Sequence, residues 1–425
     1  MLDIKLFRET PDVVRKDLEK RQMKDRLKEV DEIIALDLKH RDLLQEAETL
    51  RKARNDITKE INTLRKAGED FKPKLEDAKK IPKRIQEIEQ EKIANKEKLD
   101  GILMRMPNIL HDSVPVGADE EGNVTEREVG KKTTHDFEAF SHVDLLEKWD
   151  LADLERAAKT SGARFYFLKN ELVQLDLALQ QFAIEYLAKK GFTLLYTPFM
   201  MRRGPYEGVT DLKDFEDVMY KVEDEDLYLI ATSEHPMAAM HMDELLEESS
   251  LPLKYAGLST CFRKEAGSHG KDTKGIFRVH QFNKIEQFVF CKPEDSWKIH
   301  EELLANAEHL FKELELPYRV VNICTGDIGT VAAKKLDIEV WMPVQGKYRE
   351  VVSCSNCTDY QANRLKTRYR GKEKNPAVHT LNSTAIATSR AMVAILENCQ
   401  QKDGTIKIPK ALLPYMGGGK TIGKA

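Results

Sequence analysis

Ile33, Leu36, His40, Leu43, Ala47, Leu50, Arg54, Ile57, Ile61 and Leu64 follow one another at alternating steps of three and four residues. Side chains at that spacing share a helix face, and a sustained repeat of this kind is the seam of a coiled coil. A second seam runs through Ala78, Ile81, Ile85, Ile88, Lys92, Asn95, Leu99, Ile102 and Met106. Between them, "KAGEDFKPK" holds Gly68, suited to a helix C-terminus, and Pro73, which cannot continue one. The two helices must therefore fold back as an antiparallel hairpin. Pro82, inside the second pattern, predicts that this helix either begins there or kinks. About 40 residues at 1.5 Å each make an arm of roughly 60 Å. Residues 1–26 read as a short helical cap at its base, and 106–123, rich in prolines, glycines and acids, as the way out of it. The expected layout is an arm over 1–112, a linker over 113–134 and a second domain over 135–425.

After residue 135 the pattern changes. "HVDLLEKWDLADLERAAKTSG" and "LVQLDLALQQFAIEYLAKKG" have helical spacing, and "FTLLYTPFMMR" reads as a strand broken at Pro198. "LYLIAT", "LKYAGLSTCFRKE", "FRVHQFNKIEQFVF" and "IEVWMPVQGKYREVVSCS" then read as strands, ahead of a last helix, "SRAMVAILENCQQ". Strands that succeed one another without a helix between each pair predict an antiparallel sheet flanked by helices, an α+β arrangement. One of these strands is odd. In "FRVHQFNKIEQFVF" the alternate set is Arg278, His280, Phe282, Lys284 and Glu286 before it turns apolar at Phe288 and Phe290. Alternate residues of a strand share a face. The pattern thus predicts Arg278, Phe282 and Glu286 along one floor, a cation, an aromatic ring and a carboxylate.

At 425 residues the chain exceeds the usual size of one hydrophobic core, in keeping with two domains. No run of 18 apolar residues occurs, and "MLDIKLFRET" lacks the apolar stretch of a signal peptide, so a cytosolic protein is expected. Of six cysteines only Cys354 and Cys357 are closely spaced, which gives no disulfide framework and predicts free thiols. A zinc site usually needs a second such pair or added histidines at defined spacing, and there is none in the sequence. Net charge is −4, but it is unevenly spread. Residues 51–84 carry twelve Lys/Arg against six Asp/Glu, whereas 27–50 and 85–112 are both acidic. Folding the hairpin puts the basic island at its far end, with Arg51, Lys52, Arg54, Lys59, Arg65 and Lys66 as candidate contacts to a phosphate backbone. The plainer reading is a charge run that solvates a long helix. Phe71 is the island's one aromatic residue, which argues against base-specific readout. No dinucleotide-binding glycine motif, P-loop or nucleophile elbow is present, and "GGGKT" at 417–421 reads as a flexible tail.

"FRKE" at 262–265, followed by a loop and "GIFRVHQFNKIEQF", resembles motif 2 of the class II aminoacyl-tRNA synthetases. "GFTLLYTPFMMR" resembles motif 1, and "TLNSTAIATSRAMVAILE" resembles motif 3. With "TSE" at 232–234, "REVVSCSNCTDYQANR" and the hairpin arm, the set resembles the seryl-tRNA synthetases over nearly the whole chain. The resemblance implies ATP-dependent activation of serine to seryl-adenylate and transfer to tRNA(Ser), which the arm grips. It also implies a homodimer through motif 1, and leaves open whether tRNA(Sec) is charged as well. The rivals are a relative that aminoacylates a carrier protein and a paralogue that holds tRNA without turnover. Such carrier enzymes lack a full arm. A divergent branch of seryl enzymes uses catalytic zinc, but that branch lacks the arm and the "TSE" arrangement.

Adenylate formation brings a carboxylate to the α-phosphate of ATP, so charge neutralisation and alignment are the task. The resemblance puts Arg263 on the α-phosphate and substrate carboxylate, Glu265 on the adenine side, Phe282 under the adenine and Arg390 on the γ-phosphate. It assigns Arg278 to the ATP and aminoacyl-phosphate region. Lys264, Val351 and Val352 belong to the same ATP-binding set, as does Val279 through backbone or packing alone. Glu350 and Ser353 are oxygen ligands of the kind Mg²⁺ prefers. Period 2 puts them on opposite faces, so a bulge or a strand end must intervene if both reach one ion. Thr232, Ser233, Glu234 and Asn382 are assigned to the amino-acid site with Arg263, Glu286 to the substrate's polar groups and Thr384 to its hydroxyl. Taken singly, Arg278 and Glu286 also fit a cross-sheet ion pair, and Phe282 a core residue.

Overall fold

The computed structural model describes residues 1–210, 218–265, 274–372 and 374–423. They fall into two compact units, Met1–Met106 and Pro107–Ala425.

The first unit opens with α1 (Ile4–Glu9) and α2 (Pro11–Lys20). It continues as α3 (Leu27–Ala67) and α4 (Lys72–Leu103). Gly68 ends α3 with φ +73°, a left-handed conformation that costs a residue with a Cβ about 1 kcal/mol or more. Pro73 lies in the first turn of α4, where its missing N–H is not needed. The second helix neither waits for Pro82 nor ends there. It starts ten residues earlier and carries Pro82 in its interior. Glu32 pairs with Lys98, Glu46 with Arg84 and Glu60 with Lys74, partner numbers falling as the others rise, so the pairing is antiparallel. The buried seam is Ile33, Leu43 and Ala47 against Ile81, Ile88 and Leu99. Asn95 within it donates to the Leu36 carbonyl at 2.8 Å. Arg54, placed on the seam by spacing, is exposed.

The second unit is built on an eight-stranded sheet: β1 (Val124–Val129), β2 (Thr193–Tyr196), β3 (Leu253–Phe262), β4 (Gln281–Cys291), β5 (Tyr318–Asn322), β6 (Lys334–Met342), β7 (Lys347–Thr358) and β8 (His379–Ala387). Its order is β1-β5-β6-β7-β8-β4-β3-β2. Every pairing is antiparallel except β2 with β3. Helices α5 (Asn170–Lys189), α6 (Ser296–Glu313) and α7 (Thr388–Asn398) cover one face. On β4, Gln287 donates to the Leu303 carbonyl of α6 and Asn283 to Asp176 of α5, so the odd-numbered residues face this helical layer. The even-numbered residues face the other way.

Several expectations change here. Residues 113–134 are not a free linker, since β1 within them is an edge strand of the sheet, and Asn108, expected in the arm, belongs to the second unit, where its amide donates to the Val331 and Cys357 carbonyls. "LYLIAT" contributes only Tyr228–Leu229, which pairs with Met200–Met201 outside the main sheet. The "GGGKT" tail ends in a pairing of Thr421–Ile422 with Ile406–Lys407, and Ile422 is fully buried, so apolar burial overrides the glycines. Strand β4 begins at Gln281, which leaves Arg278 before the sheet.

Candidate functional site

The face of the sheet away from α5, α6 and α7 carries a cavity of about 440 Å³. Strand β4 supplies its floor through Phe282, Lys284 and Glu286, three consecutive residues of one face. The next strand, β8, pairs Thr384 opposite Glu286 and Asn382 opposite Phe288. Thr384 Oγ1 donates to Glu286 Oε2 at 3.3 Å, and Lys284 Nζ lies 2.5 Å from the same oxygen. Neither cross-sheet pairing of Arg278 with Glu286 nor a purely structural Phe282 is found. Phe282 is buried and lines the cavity, with the Arg263 guanidinium 5.3 Å from its ring centre.

The "TSE" segment is clamped onto the far strand. Gly257 on β3 is paired with Glu286, and a Cβ there would stand 2.7 Å from Met237 and 2.9 Å from Ser233. Only a residue without a side chain lets the Glu234–Ala239 helix sit this close to the sheet. Ser233 serves that docking: its hydroxyl donates to the Gly257 carbonyl at 3.1 Å and it is fully buried, so the residue does not reach the cavity. Thr232 and Glu234 do. Gln361 and Asn382 both donate to Glu234 Oε1 at 3.2 Å. Burial first, and Glu286 second, push the Glu234 carboxyl up to about 7 against the pull of Lys284, Gln361 and Arg263. His235, also on the wall, is driven down to about 3 by burial and by Lys284 and Arg263, and is therefore neutral.

The far side of the cavity is the β6–β7 hairpin. Its register pairs Ile338 with Val352 but Glu339 with Glu350, so Val351 is an extra residue, a β-bulge. Asp337 opposes Ser353 and Glu339 opposes Glu350, and 337 and 339 share a face. Glu350 and Ser353 are thereby brought to one face, and both line the cavity with Val351. Arg390, in the first turn of α7, lies 3.1 Å from Glu350 Oε1 and donates to its carbonyl at 3.1 Å. Burial alone would raise the Glu350 carboxyl, but Arg390, Lys335 and Arg263 outweigh it and hold it below the ordinary carboxylate range. Behind Ser353, Asp337 is buried, with Oδ1 lacking a partner among the described residues. Burial pushes its carboxyl up to about 7, with Lys335 acting in the opposite sense. Two hard oxygen donors on one face, backed by an unsatisfied carboxylate oxygen, fit a divalent cation.

Of the residues picked from the sequence, the cavity gathers Thr232, Glu234, Arg263, Phe282, Glu286 and Glu350, together with Val351, Ser353, Asn382, Thr384 and Arg390. Arg278, Glu265, Lys264, Val279, Val352 and Ser233 are not on its wall. Arg278 pairs with Glu265 at 2.8 Å, and Glu265 has φ +51°, so this pair shapes the chain leaving Arg263. Lys264 donates its backbone N–H to the Val218 carbonyl, and Val279 and Val352 are core residues. The loop after "FRKE", 266–273, lies outside the described residues. Lys284, Lys335 and His235 line the cavity without having been picked from the sequence: Lys284 stands in the polar set of β4, His235 directly follows "TSE", and Lys335 lies just upstream of the predicted strand that begins at Ile338. Cys354 and Cys357 occupy different surroundings. The Cys354 thiol donates to the His300 carbonyl in the core, whereas Cys357 is on the cavity wall and its sulfur accepts from Asn382. Among the described residues no three His, Cys, Asp or Glu side chains gather as a metal-binding group.

In the first unit, Arg51, Lys52, Arg54, Lys59, Arg65 and Lys66 are all exposed. Arg51 pairs with Glu89 and Lys59 with Asp56, both at solvent-exposed positions, where such pairs are worth little.

Residues 1–110 match the family model "Seryl-tRNA synthetase N-terminal domain", and 220–399 match "tRNA synthetase class II core domain (G, H, P, S and T)". A serine–tRNA ligase of Methanospirillum hungatei is 59% identical over 419 residues, 98% of this chain and 99% of the relative. The crystal structure of seryl-tRNA synthetase from Pyrococcus horikoshii complexed with ATP is similar over 100% of both chains, with TM-score 0.96 and 56% identity. The cytoplasmic serine–tRNA ligase of Naegleria fowleri in complex with AMP follows with TM-score 0.90 and 38% identity, over 100% of this chain and 99% of that one.

Proposed function

The chain belongs to the seryl-tRNA synthetase family, and on that premise we propose how its own residues activate serine with ATP and charge tRNA. The serine carboxylate attacks the α-phosphorus of ATP, the bond to the bridging oxygen breaks, and pyrophosphate leaves. A ribose hydroxyl at the tRNA terminus then attacks the seryl carbonyl and AMP leaves. Arg263, beside Phe282, neutralises the carboxylate and the α-phosphate while the ring takes the adenine. Arg390, released from Glu350 by a bound triphosphate, meets its terminal phosphate. Glu234 and Thr232 face the serine ammonium, and Glu286 with Thr384 the hydroxyl.

Glu350 and Ser353 would hold Mg²⁺, which when bound draws charge from the phosphates as pyrophosphate departs. The arm's exposed cations, Arg51 to Lys66, take the tRNA backbone. Tyr196 of motif 1 on β2 and Leu177 on the preceding helix α5 are exposed, apolar surface that suits a homodimer. No described helix is long and apolar enough to cross a membrane, and we assign the protein to the cytoplasm.

The observation that carries the reading is the bulge at Val351, which turns Glu350 toward the same cavity as Arg263, Glu286 and Thr384. The full N-terminal domain speaks against a carrier-protein aminoacylase. The test is exchange of pyrophosphate into ATP. It should require serine and be absent with alanine, and charging of tRNA(Ser) should need the arm. Exchange driven equally by alanine would refute the assignment of Glu286 and Thr384.

A further inference from the structure

Lys284 is a buried cation for which the reading above has no task. It is 5% exposed, lies on the cavity floor, and its strand partners are Ser259 and Ala387, neither of them charged. Its ammonium meets Glu286 Oε2, the oxygen that also accepts from Thr384. Both contacts to Glu286 therefore fall on one oxygen. Oε1, on a carboxylate that lines the cavity, is met by neither.

This asymmetry has a chemical consequence. An ionised carboxylate accepts hydrogen bonds and donates none. With Oε2 held by a cation and a hydroxyl, Oε1 is an acceptor whose direction is set before substrate arrives. A hydroxymethyl side chain can donate to it, whereas a methyl leaves a buried acceptor unpaired, a loss of roughly 10⁴ where such sites are well built. Without Lys284, Glu286 would stand near Glu234, whose own carboxyl it disfavours, with no adjacent cation on its strand.

We propose that Lys284 is a positioning residue for amino-acid selection, pinning Glu286 Oε2 so that Oε1 accepts from the serine hydroxyl and alanine is rejected. This rests on the assignment of Glu286 and Thr384 to the serine side chain.

The test uses full-length Lys284→Met and Lys284→Arg in pyrophosphate exchange with serine and with alanine. Lys284→Met should raise KM for serine about 10- to 100-fold and cut the serine-over-alanine ratio of kcat/KM at least about tenfold, with KM for ATP within about threefold of the parent. Lys284→Arg, which keeps the cation, should recover most of the serine KM. A loss confined to kcat and KM for ATP, with the serine-over-alanine ratio intact, would assign the lysine to phosphate and overturn the proposal. Should Lys284→Met be insoluble, Lys284→Gln replaces it. A cycle with Glu286→Gln gives an independent readout: if the lysine acts through that carboxylate, adding Lys284→Gln to Glu286→Gln costs less than about threefold, and a fully additive loss is the contrary result. Absence of serine-dependent exchange in the parent protein would instead strike the assignment on which the proposal rests.

Discussion

Serine binding should depend on pH through Glu234. Its carboxyl is pushed up to about 7, chiefly by burial and then by Glu286, although Gln361 and Asn382 donate to it. A serine ammonium facing it needs the ionised form. At pH 6 only about one molecule in eleven is ionised, and at pH 8 about ten in eleven, so KM for serine should fall about tenfold between them. Since the bound ammonium favours ionisation, binding at pH 6 should release about 0.9 proton and at pH 8 about 0.1, measurable by calorimetry in buffers of unlike ionisation enthalpy. Stability of the free protein has the opposite sense. Between the unfolded value of 4.5 and the folded value of about 7, the native state holds a proton that the unfolded chain has lost. This group therefore makes stability decline as pH rises through that window, and level off above it. Glu234→Gln should flatten the KM profile. A flat profile in the parent, or a slope that survives in Glu234→Gln, would refute the reasoning and point to another group, such as Asp337, which is also pushed to about 7.

Three further outcomes follow from the same geometry. Arg263→Ala, in a protein that still folds, should slow adenylate formation by about 10²–10³, read in single-turnover assays, since it removes the cation beside Phe282 that the proposed mechanism sets against the carboxylate and α-phosphate. Arg65→Ala with Lys66→Ala should raise KM for tRNA and reduce the salt slope of tRNA binding by roughly 0.9 per lost phosphate contact, while serine-dependent exchange is unchanged. Gly257→Ala should destabilise by about 1–3 kcal/mol in denaturant unfolding and raise KM for serine, because the added methyl meets Met237 and Ser233.

What could be read from the residues differs by element. The hairpin was legible because the three-four repeat and Gly68 are local, and its antiparallel sense follows from the short connection. The site was legible as a set of motifs, and Glu286 and Thr384 do meet across β4 and β8. Arg278 was misplaced: strand alternation was extended four residues upstream of where pairing begins at Gln281. Ser233 sits within the "TSE" motif, but its hydroxyl is consumed by docking to β3. Lys284 is visible as a member of the polar set of β4, yet nothing in its spacing says which oxygen it holds.

From the chain alone came the periods: three-four for the arm, two for the strands, and the requirement that a bulge intervene for Glu350 and Ser353 to act together. These are properties of neighbours along the backbone, and covalent geometry sets them. Which oxygen Lys284 holds, where Val351 steps out of register, and why burial prevails at Glu234 while neighbouring cations prevail at Glu350 were decided by tertiary structure. Hydrogen-bond register and desolvation depend on strands and helices far apart in sequence, so they exist only once the sheet that floors the cavity has assembled.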